Sequence, residues 1–318
     1  MRVLVTGGAG FIGSHLAAEL ARLGHSVRVI DNFSTGRRSN LEALAPDADL
    51  VEGDIRSYER AATAVRGCDG VFHLAAVPSV PRSVQDPLTT HEANVTGLLN
   101  VMLAARDAGI RRLVYASSSS VYGAGESLPK REDQQPLPIS PYGVSKLAGE
   151  GYCRAFRDVY GLETVALRYF NVFGPYQDPS SGYAAAIPKF IASLLAGQPP
   201  VIFGDGEQSR DFTYVEDVVR ANVLAMDAPS ASGRVYNVAR GERITLNELI
   251  AMLRELTGSS VDAIYDGPRA GEVRHSLADI SAARRDLGYE PLVPLREGLR
   301  RTVEHLVDAA EAEAAISG

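Results

Sequence analysis

Three glycines spaced three apart, Gly7, Gly10 and Gly13, follow directly on the apolar run Val3 to Val5 and stand at the mouth of the first helical pattern. A chain that leaves a strand, turns at once without side chains and enters a helix packs that helix back on its own strand. The first N–H groups of such a helix are unpaired and sit at the positive end of its dipole, a setting suited to a pyrophosphate. The same alternation of short apolar run and amphipathic stretch recurs at Val27 to Ile30, Leu50 and Val51, Val71 to Leu74, Leu113 to Ala116 and Val165 to Leu167. It predicts a parallel sheet with helices on both faces.

The expected fold is therefore α/β, a Rossmann-type doubly wound parallel sheet with a smaller, interleaved α/β lobe. Residues 1–169 make the first unit, with a return segment at about 211–239, where strand, helix and strand are read again. Residues 170–318 supply the lobe. Asp86-Pro87 starts a helix whose apolar spacing runs to Gly109, one long helix, and a further helix spans about Ile187 to Ala196. Thr245-x-x-Glu248 is a capping box, and the Ala/Glu-rich end from Asp308 to Gly318 is expected to fray.

With 318 residues the chain can bury such a core without staples, and its two cysteines, Cys68 and Cys153, fall in no metal-type cluster. Both are expected to be reduced thiols. A formal charge of -7 argues against non-specific nucleic-acid binding. No basic stretch precedes an apolar run at the N-terminus and no apolar run approaches a membrane span, so neither a signal peptide nor a membrane segment is expected, and the location is read as cytoplasmic.

Asp31 ends the second strand, where a carboxylate can accept from ribose hydroxyls and repel a 2′-phosphate, which favours NAD over NADP. Arg37 and Arg38 lie close by and keep the phosphorylated cofactor open. Gly53-Asp54-Ile55 after the third strand is placed at the adenine edge. His73, before Leu74-Ala75-Ala76, is read as a packed strand residue. Farther on, Tyr142 and Lys146 stand four apart on one helix face, where the lysine charge is expected to lower the phenol's pKa so that Tyr142 acts as a base. A serine-rich strand end, Ser117 to Ser120, precedes them.

Carried by VTGGAGFIGSH, DNFSTG, HLAA, SSSSVYG, PYGVSK, RYFNVFGPYQ, FGDGEQSRDFTYVEDV and PRAGEVRHS, the chain resembles, over essentially its whole length, the UDP-glucose 4-epimerases of the extended short-chain dehydrogenase/reductases. The resemblance implies a catalytic trio of Ser118, Tyr142 and Lys146, and hydride transfer from sugar C4 to NAD with return to the other face of a transient 4-keto sugar. It implies NAD contacts from Gly7, Gly10, Phe11, Ile12 and Gly13, from Asp31, Asn32, Ser34, Thr35 and Gly36, and from Asp54 and Ile55. Leu74, Ala75, Ala76, Asn94, Tyr142, Lys146 and Tyr169 complete that set. The UDP-sugar is expected against Ser118, Tyr142, Asn171, Lys189, Val201, Phe203, Arg210, Arg269 and Glu272. Arg210 and Arg269 take the diphosphate, Glu272 the uridine ribose, and Val201 with Phe203 the uracil. A homodimer through the helices around 87–108 and 141–160 is also implied.

Related 4,6-dehydratases carry an Asp-Glu pair where this chain has Ser119 and Ser120, so elimination of water lacks its acid and base. Glucuronate-selective relatives commonly place an arginine in the loop where Asp178 stands, and an acidic group there is expected to repel a sugar carboxylate, favouring a neutral hexose. Arg82 or Lys189 can supply a cation from elsewhere. Ser276 falls where glucose-restricted relatives have tyrosine, which leaves room for an N-acetyl group. A glucuronate 4-epimerase, another nucleotide-sugar oxidoreductase of this scaffold and a non-catalytic cofactor-binding sensor stand as alternatives.

Overall fold

The computed structural model describes residues 1–125, 127–179, 185–267 and 273–317, with side chains to residue 312. Strand β1 (Arg2–Thr6) is apolar on both sides: Val3 and Val5 pack into one layer, Leu4 into the other, and all three are fully buried. A strand with no solvent face belongs inside a parallel sheet. Around it follow helix α1 (Phe11–Arg22), β2 (Ser26–Asp31), α2 (Arg38–Leu44), β3 (Asp49–Glu52), α3 (Tyr58–Val65) and β4 (Gly70–His73). Helices α4 (Val80–Gln85), α5 (Pro87–His91) and α6 (Gly97–Asp107) lead to β5 (Arg112–Ser118), α7 (Pro141–Tyr160) and β6 (Glu163–Tyr169).

Beyond β6 the chain forms β7 (Val172–Phe173), α8 (Ala186–Leu195), β8 (Val201–Phe203), β9 (Ser209–Arg210) and β10 (Thr213–Tyr214). It returns to the sheet through α9 (Val215–Asp227) and β11 (Arg234–Val238), then leaves for β12 (Ile244–Thr245), α10 (Leu246–Thr257), β13 (Ile264–Asp266), α11 (Ser281–Leu287) and α12 (Leu295–Ser317). The seven-stranded sheet has the order β11-β6-β5-β4-β1-β2-β3 and every pairing in it is parallel. Strand order reverses between β1 and β4, and in open parallel sheets ligands bind outside the carboxyl ends of the strands at such a point. Helices α1, α2 and α9 cover one face, α3, α6 and α7 the other. The first of these cores runs without a break into Ile187, Phe190, Leu249 and Leu253 of the second lobe, so the lobes share one hydrophobic interior.

Most expected elements lie where the periodicity put them, and Thr245 and Glu248 form the capping box. Asp86 caps its helix through Thr89 N–H at 3.0 Å. That helix is not uniform: Glu92–Thr96 takes π geometry between α5 and α6. One extra residue per turn is invisible to a 3.6-residue count, and such insertions cluster at functional sites. The first strand of the return segment, β10, pairs with β7 and not with the main sheet, whereas β11 joins β6 as expected. Where fraying was expected, α12 runs to Ser317; Ala and Glu are strong helix formers even where the apolar stripe fades. Buried Arg112 fixes α9 to β5 by donating from Nη1 to the carbonyls of Ala225, Met226 and Ala228 at 2.7–3.0 Å. Cys68 and Cys153 are free and buried. Among the described residues no helix is long and apolar enough to cross a membrane, and no cluster of His, Cys, Asp or Glu suits a metal ion.

Candidate active site

The glycine turn is a cradle shaped by absent side chains. Gly7 has φ +70° and donates to Ile30 O at 2.8 Å, and a Cβ on Gly13 would stand 2.1 Å from Gly7 O. Gly10 is the N-cap of α1 and offers no side-chain acceptor, so the first N–H groups of the helix, at Phe11 and Ile12, face outward without a cap. Leu74 and Ala75 close the other side, tied back by Leu74 N–H to Thr6 O and Ala75 N–H to the Thr6 hydroxyl, with Ala76 following. Bare N–H groups at a helix start, with no Cβ to keep a ligand off, fit a dinucleotide pyrophosphate.

At the adenosine end the carboxylate of Asp31 accepts from Ala9 N–H at 2.9 Å and Phe33 N–H at 2.8 Å, and burial raises its pKa. Gly36 lies so close that a Cβ there would be 3.0 Å from the Asp31 carboxylate, with Ser34 and Thr35 just before it. Asn32 donates to Asp54 at 2.8 Å, which places the 53–55 turn beside this loop; Arg56 holds the Asp54 carboxyl below its ordinary range. Ile55 is buried under Gly97. Both arginines that kept NADP open in the sequence are engaged by carboxylates, Arg37 with Asp178 at 2.6 Å and Arg38 with Glu52 at 2.7 Å. The first pair corrects a second expectation: Asp178 is directed to the adenosine-side loop, its charge offset there, so it gives no reason to reject a sugar carboxylate.

Ser118 ends β5 and Tyr142 opens α7, whose N-cap Ser140 accepts from Gly143 N–H. The backbone N–H of Tyr142 donates to Ser83 Oγ at 3.0 Å, so α4 helps to set the phenol. Lys146 Nζ donates to Ala116 O at 2.8 Å and lies 5.8 Å from the Tyr142 ring centre. The expected fall in the phenol's pKa is not found. Burial pushes Tyr142 up, with the Ser118 hydroxyl acting the other way, and burial pushes Lys146 down to about 7. With both groups out of water, desolvation outweighs the attraction of an amine that is aimed at a carbonyl and only partly charged at neutral pH. His73 is a packed strand residue as read: its Nδ1 meets the Thr6 hydroxyl at 3.0 Å, its ring stacks on Tyr115, and burial brings its pKa to about 3.

Residues 3–239 match the model of the NAD dependent epimerase/dehydratase family. The chain belongs to that family. A UDP-glucose 4-epimerase of Thermotoga maritima, solved with UDP-glucose, superposes with a TM-score of 0.93 at 40% identity, covering 98% of this chain and 100% of that one. A UDP-N-acetylglucosamine 4-epimerase of Methanobrevibacter ruminantium, in complex with UDP-N-acetylmuramic acid, gives 0.93 at 41% identity over 97% and 98%. The Thermus thermophilus UDP-glucose 4-epimerase in complex with NAD gives 0.90 at 37% identity over 97% and 100%.

Outside the main sheet the second lobe carries short two-stranded ribbons. Asn171 adopts φ +34° and donates to Asp211 O at 2.9 Å, with Ser276 Oγ 3.5 Å away. Asn171 and Ser276, far apart in sequence, therefore line one place. Arg210 Nη1 donates to Ser209 O and Arg274 O, both at 3.0 Å. Val201, exposed, and half-buried Phe203 share a face of β8, and Lys189 is half-buried on α8. Arg269 and Glu272 lie outside the described residues. Tyr169 is directed into the core, where its hydroxyl donates to Asn222 at 2.9 Å. Buried Asn94, on the π turn, accepts from Val77 N–H and donates to Val77 O and Ser145 Oγ, so it links the turn after β4 to α7.

Three contributors escaped the sequence reading. Arg243 and Arg274 add positive charge around His275, whose Nδ1 meets the hydroxyl of Ser209, next to Arg210. Asp211 is fully buried and its carboxylate accepts from the N–H groups of Arg240, Gly241 and Ala278 at 3.0–3.1 Å, knitting the ribbons together. Only its place beside Arg210 in the RDF triplet hinted at such a task.

Proposed function

We propose that this chain is an NAD-dependent 4-epimerase of a UDP-hexose, acting on the UDP-glucose/UDP-galactose pair and admitting the N-acetylated pair. One observation carries the reading: a serine hydroxyl, a phenol and a lysine amine meet at the carboxyl end of β5, next to the point where strand order reverses. Residues 1–169 with 211–239 are read as the NAD unit and the remainder as the nucleotide-sugar lobe.

Gly7, Gly10 and Gly13 hold the pyrophosphate and Asp31 the adenosine ribose. Bound NAD would supply a hydride acceptor and a positive charge that offsets the burial of Tyr142 and favours its phenolate. Ser118 hydrogen-bonds the sugar O4, the Tyr142 phenolate takes the O4 proton as the 4-keto sugar forms and gives it back after the sugar turns over, and Lys146 holds the nicotinamide ribose. Arg210 grips the diphosphate while the hexose is left free to rotate. Ser276 beside Asn171, small where a tyrosine would fill space, supports room for an N-acetyl group.

A homodimer is part of the proposal. Val144, Ala148, Gly151, Ala155 and Val159 form an apolar stripe along α7; Val144 and Val159 are exposed and nothing stands within 4 Å of a Cβ at Gly151. Sedimentation as a monomer at micromolar concentration would refute that part. To test the activity, the purified protein is denatured and the released nucleotide identified, and the intact protein is given UDP-glucose, UDP-N-acetylglucosamine and UDP-glucuronate with epimers resolved by NMR. NAD in the supernatant and C4-inverted neutral hexose are expected. Bound nucleotide with no inversion of any sugar would return the chain to the sensor reading.

A further inference from the structure

One helix face carries more than the phenol and the amine. Tyr142, Lys146 and Glu150 follow each other at intervals of four on α7, and all three are directed at the ends of β5 and β6. The Glu150 carboxylate is buried, with 6% of its side chain exposed, and so is Arg168, with 3%. Arg168 Nε donates to Glu150 Oε1 at 2.8 Å and Nη2 to Oε2 at 2.7 Å, a two-pronged pair. Ser117 Oγ donates to the same Oε1 at 2.6 Å. Ser117 and Arg168 are direct partners in the β5–β6 ladder, and the next rung is Ser118 with Tyr169. One carboxylate thus clamps a single rung of the sheet, adjacent to the rung that bears the reacting serine.

The surroundings argue against a role in stability alone. A buried ion pair gains little over well-packed apolar side chains of similar size, because both charges must leave water. Among the described residues Arg168 Nη1 has no hydrogen-bond partner, and the guanidinium has there only the Tyr122 ring, 4.6 Å from its centre, so its desolvation is incompletely offset. What the pair adds is geometry. Helix α7 is seated so closely that a Cβ on Gly149, beside Glu150, would stand 2.3 Å from the Tyr115 hydroxyl on β5. Close seating sets the distance between helix and strand; the clamp sets their register along the strand.

We propose that Glu150, held by Arg168 and Ser117, is a positioning residue that keeps the Tyr142 phenol in register with the Ser118 hydroxyl. The inference rests on the epimerase reading, because register matters only if that pair shares a proton with the sugar. A displacement of about 1 Å in such a pair can cost on the order of 100-fold in rate.

The decisive variant is the double replacement Glu150→Met/Arg168→Met, which removes both charges and keeps the volume. Holoenzyme is purified, and its melting temperature, NAD content, kcat and KM for UDP-glucose are measured. The expected result is a melting temperature within a few degrees of wild type and full NAD content, with kcat lower by ~10-fold or more and KM unchanged within ~2-fold. Wild-type kcat in that folded double variant would overturn the proposal and leave the pair purely structural. Should the double variant not fold, Glu150→Gln decides. Its amide oxygen still accepts from Ser117 and Arg168 Nε but the second prong is lost, so kcat is expected to fall by ~3-fold at constant KM. Unchanged kcat, or a change confined to KM, would equally overturn it. If wild type itself inverts no UDP-sugar, the epimerase reading has failed, an outcome separable from either result.

Discussion

Strands β5 and β6 pair over seven consecutive residues, from Arg112 with Glu163 to Ser118 with Tyr169, whereas β8 and β13 in the second lobe pair over three and the other ribbons over two. Every residue of β5 is buried; every residue of β13 is exposed. The half that carries the phenol and the glycine cradle is thus held by long ladders and two packed helical layers. The half proposed to face the sugar packs helices α8 and α10 into the shared core and carries on them short ribbons tied by side chains such as Asp211 and Asn171. The contrast fits the chemistry proposed: a cofactor kept in one pose through every cycle, and a sugar that must present both faces to it.

The largest effect is expected in the rigid half, at Tyr142. Tyr142→Phe is expected to lower kcat by about 10²–10⁴-fold, with NAD content and melting temperature unchanged, read by NMR epimer assay and by nucleotide release. A phenylalanine variant that turns over normally would remove the base from the mechanism. On the looser side, Arg210→Met is expected to raise KM for UDP-glucose by ~10–100-fold while kcat moves by less than ~3-fold, since the guanidinium grips the handle and not the reacting carbon. A fall in kcat alone would place it elsewhere.

Ser276→Tyr acts on the ribbons alone, and a ribbon residue should alter selectivity without touching the chemistry. UDP-N-acetylglucosamine is expected to lose ~10-fold or more in kcat/KM and UDP-glucose no more than ~3-fold, in side-by-side assays. Equal losses on both sugars would mean that the serine does not border the acetyl group.

Burial brings Asp211 to about 6, while the three N–H groups it serves favour its charged form. The folded protein holds this proton more tightly than an unfolded chain, whose carboxyl titrates near 3.9, so this group's share of stability declines as pH rises through about 4 to 6. The proton's contribution should be largest near pH 4 and gone above about pH 7, so the melting temperature of wild type relative to Asp211→Asn, whose side chain does not titrate, is expected to fall by a few degrees from pH 5 to pH 8. A difference that does not change with pH would exclude this linkage. The smallest effect is expected at the pair Arg37–Asp178. Asp178→Asn removes one negative charge from the loop beside Asp31, and affinity for NADP, by titration of nucleotide-stripped protein, should rise ~2–5-fold with NAD unaffected. An unchanged NADP affinity would show that Asp31 alone discriminates.

Legibility in the sequence follows the same division. The glycine turn, the strands and the pair Tyr142 and Lys146 were readable because each is local: a spacing of three, a run of β-formers, an interval of four. The π turn at Glu92–Thr96 was not, since it departs by one residue from the period being counted, and Asn94 there turned out to link two segments of protein. The protonation of Tyr142 and Lys146 was misread because proximity along a helix says nothing about water, and burial moved both groups against the expected charge effect. Asp178 was assigned to the sugar by its place in a loop, but a loop's direction is a tertiary fact.

By itself, then, the order of residues determined the parallel strands, the glycine turn and the Tyr142–Lys146 spacing, all of which depend on neighbours within a few positions. Only the folded chain decided which distant groups meet: Asn171 with Ser276, Arg37 with Asp178, and Ser117 and Arg168 on one Glu150 carboxylate. The reason is that such contacts are set by how strands register and how closely helices seat on them, and those quantities belong to the packed interior as a whole.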